Sequence, residues 1–287
     1  MDIGIGLPST IPGAEPDAVL SWAQRAEERG FSALGTIDRL VYPNYEPLVT
    51  LAAAAAVTRR VRLLTTVLLA PLRANSALFA KQAASLDRLS GGRLTLGLGV
   101  GSRPDDFEAS GVDLHTRGKR FEALLKDVTG IWAGEPRGYA GGIGPEPGQR
   151  GGPPLLIGGS TDAAVRRTVQ YGVGYVAGGG GPEPFAQMAD RVRQAWTDAG
   201  RPGSPRLVAL GYFALGPQAA ERARGYLLDY YGSAGSYAER VASSANVTPD
   251  MVRHTVERFA SAGCDEFVLF PCSPAVEQVD RLRDALP

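Results

Sequence analysis

Cysteine, histidine and lysine are all scarce in this chain of 287 residues. The two cysteines, Cys264 and Cys272, are too few for a disulfide framework or a cysteine zinc site, and such usage suits a reducing cytoplasm. The two histidines, His115 and His254, lie far apart, and a lone histidine usually packs or faces solvent. No Ser/His/Asp triad, HExxH or CxxC is legible, and no metal site is expected. The three lysines, Lys81, Lys119 and Lys126, all fall in helical patterns, which counts against an isomerase or aldolase with a catalytic Lys at a strand end. Charge of one sign is also lacking. Thirty basic residues balance thirty acidic ones, so no broad field points to nucleic acid or an anionic membrane. No stretch approaches the ~20 apolar residues of a bilayer span. The opening MDIGIGLPST has neither the basic nor the apolar region of a secretory signal.

What the chain does have is alternation. Short β-like runs fall at 3–7, 31–37, 61–69, 93–100, 155–158, 174–177, 206–215 and 266–270. The run VRLLTTVLL is nearly all apolar, as a parallel strand buried on both faces should be. Helical patterns occur at 15–29, 47–57, 76–89, 116–132, 162–171, 184–199, 218–230, 249–262 and 275–286. Eight such units without a composition break predict one α/β domain, a (β/α)8 TIM barrel over residues 1–287 with its site at the carboxyl ends of the strands. An open doubly wound sheet is the alternative. Two irregular stretches, 134–154 and 232–247, read as insertions at the rim. Residues 138–154 of the first are expected to be mobile and to act as a lid.

With few acid/base side chains, the chemistry is expected to come from a cofactor. Glycines cluster at strand ends. Gly158, Gly159, Ser160 and Thr161 turn strand five into a helix, and Gly178, Gly179 and Gly180 come after strand six. Glycine allows close approach, and a helix N-terminus offers free N–H groups to an anion, so these turns are candidates for one phosphate. Plain turn chemistry would use the same residues. Gly97, Gly99 and Gly101 end strand four, where a flat ring or a closely packed helix could approach. Asp38 and Arg39 end strand two, placed to touch a ligand or to pair with each other.

At this point LDRLSGGRLTLGLGVGS, over 86–102, resembles the strand-four signature of the luciferase-like family of flavin- and F420-dependent oxidoreductases. GIGLP, RAEERGFSALGTID, VRLLTTVLLAP and PLLIGGSTDAAVRRTVQYGVGYVAGG match that family in order. The resemblance implies reduced FMN or coenzyme F420 as cofactor, and a non-proline cis peptide near Thr66–Val67. It places Asp38, Thr66, Val67, Gly99 and Gly101 around the ring, and Gly158, Gly159, Ser160, Thr161, Gly178, Gly179 and Gly180 at the phosphate. One branch of the family carries an Asp-His pair after strand two; here the pair is Asp38-Arg39. Arg39 and Arg103 are then expected to offer positive charge to an anionic substrate or a peroxide, with Asp38 beside them as the third catalytic candidate. The expected activity is a monooxygenase using reduced FMN and oxygen on an organic substrate. The alternatives are an F420-dependent reductase or dehydrogenase and a flavin-binding protein without turnover. The expected partners are that substrate, a separate flavin reductase and a second copy of the chain.

Overall fold

The computed structural model describes residues 1–139 and 141–287, leaving the side chain of Ser233 outside the description as well. Eight parallel strands close into a barrel in chain order: β1 Asp2–Gly6, β2 Ala33–Thr36, β3 Arg62–Leu69, β4 Leu94–Gly99, β5 Leu155–Gly158, β6 Gly174–Ala177, β7 Arg206–Phe213 and β8 Glu266–Pro271. The helices are α1 Pro16–Glu28, α2 Pro47–Val57, α3 Ser76–Leu89, α4 Pro104–Ala109, α5 Arg117–Trp132, α6 Asp162–Tyr171, α7 Pro182–Asp198, α8 Ala219–Tyr231, α9 Ser236–Ser243, α10 Pro249–Ser261 and α11 Glu277–Ala285. No helix among the described residues is long and apolar enough to cross a membrane.

The side-chain period of two divides each strand between two cores. Ala33, Leu64, Leu156, Val176, Val208 and Val268 join a cluster inside the barrel. Their sequence neighbours Leu34, Leu63, Ile157, Tyr175, Leu207 and Phe267 pack outward against helix residues such as Trp22, Phe121 and Phe185. Each such ring contributes about 1.5–3 kcal/mol by leaving water. The amino-terminal end is closed by charge: buried Glu266 accepts from Arg62 at 2.6 Å, Arg206 at 2.8 Å and the Ser32 hydroxyl at 2.5 Å.

Two expectations about the connections need correction. The 134–154 segment joins the end of α5 to the start of β5, so it lies at the amino-terminal face, away from the strand ends that build a barrel's site. Gln149 is fixed there by Asp87 (2.7 Å) and by the Leu94 carbonyl (2.7 Å) at the start of β4. Lys81 donates to the Gly144 carbonyl. Residue 140 lies outside the described residues, but the rest of the segment is anchored where it cannot be a lid. The second insertion is longer than 232–247. The chain leaves β7, forms α8 and α9, and returns to β7, where Asn246 donates to the Tyr212 carbonyl at 2.9 Å and pairs with Phe213. Only α10 then crosses back to β8. The pattern at 218–230 is therefore not the crossover helix of unit seven but part of a 214–247 excursion at the carboxyl-terminal face.

Candidate active site

The site starts from a disturbance in β3. Thr65 pairs with Leu96 of β4, yet Leu68 pairs with Leu98. Two residues of β3, Thr66 and Val67, thus face Gly97 alone, which is a bulge. The Thr66–Val67 peptide is cis. The neighbouring glycines make room for this bulge. A Cβ on Gly97 would stand 2.1 Å from the Thr65 carbonyl oxygen, one on Gly99 2.7 Å from Val67, and one on Gly158 3.0 Å from Val67. The glycines of β4 thus receive a neighbouring strand, a cause distinct from both a ring seat and helix packing, although Gly99 also faces the cavity.

Val67 is pushed into the barrel mouth, where it divides two adjoining cavities. One has a volume of about 510 Å³ and the other about 320 Å³; both touch Thr66, Val67, Gly101, Ser102, Gly178 and Tyr237. The larger cavity runs from Gly99 to the turns after β5 and β6, where Gly158, Gly159, Ser160, Thr161 and Gly180 line it. Gly159 has φ 134°, and its Cβ would lie 3.0 Å from Ala164. Thr161 caps α6 by accepting from Ala164 N–H. The N-termini of α6 and α7 both meet this end, and such termini attract anions. Arg167 lines it too, paired with Glu122 at 2.8 Å. Gly179 faces the smaller cavity instead, near Tyr212.

Asp38, Arg39 and Arg103 line the smaller cavity, but none of them is free. Asp38 accepts from Leu69 N–H at 2.9 Å and from Arg73 at 2.7 Å; burial pushes its carboxyl up while Arg73 opposes that. Arg39, only 6% exposed, donates to the carbonyls of Tyr230 (2.8 Å) and Val41 (2.6 Å) and to Asp105 (3.3 Å). Arg103 repeats the pattern, to Tyr230 O at 3.2 Å and Asp105 at 3.2 Å. Fully buried Asp106 accepts from Leu40 and Val41 N–H and stands 3.8 and 3.9 Å from the Nε atoms of Arg39 and Arg103. The two arginines are therefore neither surface residues nor free cations for a substrate. They form a latch that ties the end of α8 to α4 and to the β2 loop.

Asp105 keeps that latch charged. Burial opposes its ionisation, but Arg103, the Asp106 N–H and Arg39 hold it below the usual carboxylate range. Its folded value lies below the unfolded one, so its contribution is complete above the unfolded value and is lost only as pH falls through the folded one. Protection factors of the amides of residues 230–237 should be flat from about pH 8 to 5 and fall only in stronger acid. Asp105→Asn should lower them at neutral pH; unchanged protection would remove Asp105 from the latch.

Residues missed in the sequence include Asp105, Asp106 and a group of tyrosines. Tyr230, Tyr231 and Tyr237 line the smaller cavity, and Tyr212 meets Tyr231 hydroxyl to hydroxyl at 2.6 Å. Burial pushes the hydroxyls of Tyr212, Tyr230 and Tyr231 well above the usual phenol range, so all stay protonated. The run YYGSAGSY at 230–237 was the available signal. Neither histidine lines either cavity, and both are exposed. No group of three or more His, Cys, Asp or Glu residues able to hold a metal occurs among the described residues.

The family model for luciferase-like monooxygenases matches residues 1–266. The chain belongs to the luciferase-like monooxygenase family. An uncharacterized protein of Mycobacterium tuberculosis (strain ATCC 25618 / H37Rv) is 33% identical over 207 residues, covering 62% of this chain and 71% of that protein. The crystal structure of the monooxygenase RslO1 from Streptomyces bottropensis is similar with a TM-score of 0.78 at 26% identity, over 99% of this chain and 97% of that one. An F420-dependent secondary alcohol dehydrogenase, solved with an F420–acetone adduct, has the same fold with a TM-score of 0.80 at 19% identity, again over 99% and 97%. The luciferase-like barrel is thus shown, and the family's oxidoreductases support enzyme status for this chain.

Proposed function

We propose that the chain is a monooxygenase that uses reduced FMN and oxygen on an organic substrate, with the reduced flavin delivered by a separate reductase. The carrying observation is the divided mouth, which joins an anion-binding end to a tyrosine-walled chamber across Val67. A single phosphate suits the first end, where two helix N-termini and glycine turns converge and Arg167, already paired to Glu122, is the one lining cation among the described residues. A long polyanionic tail would need more. Gly158, Gly159, Ser160, Thr161, Gly178 and Gly180 would hold that phosphate end, Gly179 lying on the side of the smaller cavity, and Thr66, Val67, Gly99 and Gly101 would face the ring. Bound there, FMN would supply electrons to oxygen. The chain's own residues orient the ring, exclude water under the 214–247 excursion, and keep the tyrosine hydroxyls protonated beside it. Asp38 fixes the end of β3 through Leu69 N–H; Arg39 and Arg103 position the chamber wall. No histidine lines either cavity among the described residues, and the lining carboxylates Asp38 and Asp106 are already engaged by Leu69 N–H and Arg73 and by Leu40 and Val41 N–H, which favours oxygenation over dehydrogenation of an alcohol, a reaction that needs a base.

Stopped-flow mixing of the protein loaded with reduced FMN against oxygenated buffer tests this reading. A flavin absorbance transient that outlives the oxidation of free reduced flavin supports it. Failure to bind reduced FMN, together with binding of reduced F420 and oxygen-independent reduction of an acceptor, would replace it by the deazaflavin alternative. Binding without turnover of any acceptor would leave a flavin carrier. Gly159→Val should weaken FMN binding by at least about tenfold, or 1.4 kcal/mol, because the added side chain meets α6 and the φ of 134° suits glycine. Unchanged affinity would take the phosphate away from that turn.

A further inference from the structure

We propose that the smaller cavity is a substrate chamber for an uncharged, flat aromatic molecule bearing a hydrogen-bonding oxygen, an inference that rests on the flavin reading above. Three observations carry it. The first is the wall. Tyr230, Tyr231 and Tyr237 line the chamber together with Val67, Leu69 and Leu210. The rings stand edge to face in series: Tyr42 to Tyr230 at 5.1 Å and 82°, Tyr230 to Tyr231 at 5.0 Å and 79°, Tyr231 to Tyr237 at 5.5 Å and 80°. A flat guest ring extends such an array with the offset or perpendicular contacts that aromatic pairs prefer.

The second observation is charge. Every charged side chain facing the chamber already has a partner within the protein: Asp38 has Arg73, and Arg39 and Arg103 have Asp105 and Asp106. A carboxylate or sulfonate entering here would be desolvated without a free cation, and burying an unpaired charge is costly. The third is the phenol pair. The Tyr212 and Tyr231 hydroxyls are 2.6 Å apart, so one proton lies between them. Either hydroxyl can be the donor of that pair; where Tyr212 donates, the proton of Tyr231, which lines the chamber, is left free to donate. A guest hydroxyl or carbonyl oxygen meets that donor. The volume of about 320 Å³ is near the lower end of small-molecule sites, ~300–1,000 Å³, which suits a compact ring system.

The test is calorimetric titration of the FMN-loaded protein with 2-naphthol, 2-naphthoate and decan-1-ol, which separate the neutral ring from the charged ring and from a flexible neutral chain. The expected result is 2-naphthol binding at least about tenfold more tightly than either of the others. Tyr231→Leu should lose about tenfold of that affinity, more than any change in the FMN affinity of the same variant. Tyr231→Phe, which keeps the ring and the packing, should lose a smaller share through the missing hydroxyl. Equal or tighter binding of 2-naphthoate or decan-1-ol overturns the proposal, as does unaltered naphthol affinity in both Tyr231 variants. If FMN fails to bind but the cofactor-free protein still selects 2-naphthol, the flavin reading falls and the chamber stands. FMN binding without that selectivity gives the reverse.

Discussion

Replacing Arg39 with methionine is expected to cost the fold about 3–5 kcal/mol, the usual penalty for removing one partner of a buried ion pair. Methionine fills most of the volume, so a cavity contributes little. What is lost is a guanidinium, 6% exposed, that holds three segments together: the Tyr230 carbonyl at the end of α8, the Val41 carbonyl in the β2 loop, and Asp105 and Asp106 on α4. Asp106 suffers most. It is wholly buried, and without Arg39 its Oδ2 keeps only Arg103, at 3.9 Å. At about 2–4 °C per kcal/mol for a chain of somewhat smaller size, the melting temperature should fall by roughly 10 °C. Urea unfolding checks the magnitude. Arg103→Met should cost less, since that side chain is 20% exposed and lacks the Val41 contact. The double variant Arg39→Met with Asp106→Asn should recover part of the loss, because it removes the stranded charge and keeps an acceptor for the Leu40 and Val41 N–H groups. A loss below about 1 kcal/mol in the single variant would mean that the latch is no more than a surface pair.

The latch also shows why some of the site was hidden in the sequence. The barrel was legible because a parallel strand buried on both faces has little choice of residue. The runs at 155–158 and 174–177 and the helices at 47–57, 76–89 and 162–171 have the bounds read from the sequence. Helix α4 was not legible. Its six residues, PDDFEA, have two apolar members and no period, and nothing local says that Asp106 is buried while Asp105 is 39% exposed. That difference arises from Leu40 and Val41, over sixty residues away in sequence, whose N–H groups need an acceptor. The misplaced lid has another cause. Glycine content marks a segment as irregular but not which barrel end it occupies. Chain order decides that: a loop leaving a strand lies at the carboxyl-terminal face, and a loop leaving a helix lies at the other. The tyrosines of 230–237 were visible as letters, but an aromatic run reads the same whether it faces a core, a cavity or solvent.

The glycine signature of β4 marks a close approach without saying whether a ligand or a helix is the approaching group. The structure supplies a strand, and with it the second large expected effect. Gly97→Ala should cost about 1–3 kcal/mol of stability through overpacking and weaken FMN binding about a hundredfold, near 2.8 kcal/mol. The new Cβ would lie 2.1 Å from the Thr65 carbonyl oxygen and 3.1 Å from its carbon. These are backbone atoms, so no rotamer change relieves the contact. Nor can β3 move away freely, because the Thr65 hydroxyl donates to the Gly97 carbonyl at 2.8 Å and Leu64 and Thr65 pair with Thr95 and Leu96 on the same stretch. The displacement must pass up the strand into Thr66 and Val67, which form the wall between the two cavities. Affinity should therefore fall by more than the stability loss alone would explain. Gly225→Ala is the matched control: that glycine sits in α8 with nothing within 4 Å of its would-be Cβ, and alanine there should leave binding alone and stabilise the helix by up to about 1 kcal/mol. FMN titration and urea unfolding of the two variants side by side give the comparison. If Gly97→Ala retains FMN affinity within about threefold of the parent while folded, the bulge of β3 does not shape the cofactor site, and the flavin would have to be placed elsewhere in the mouth.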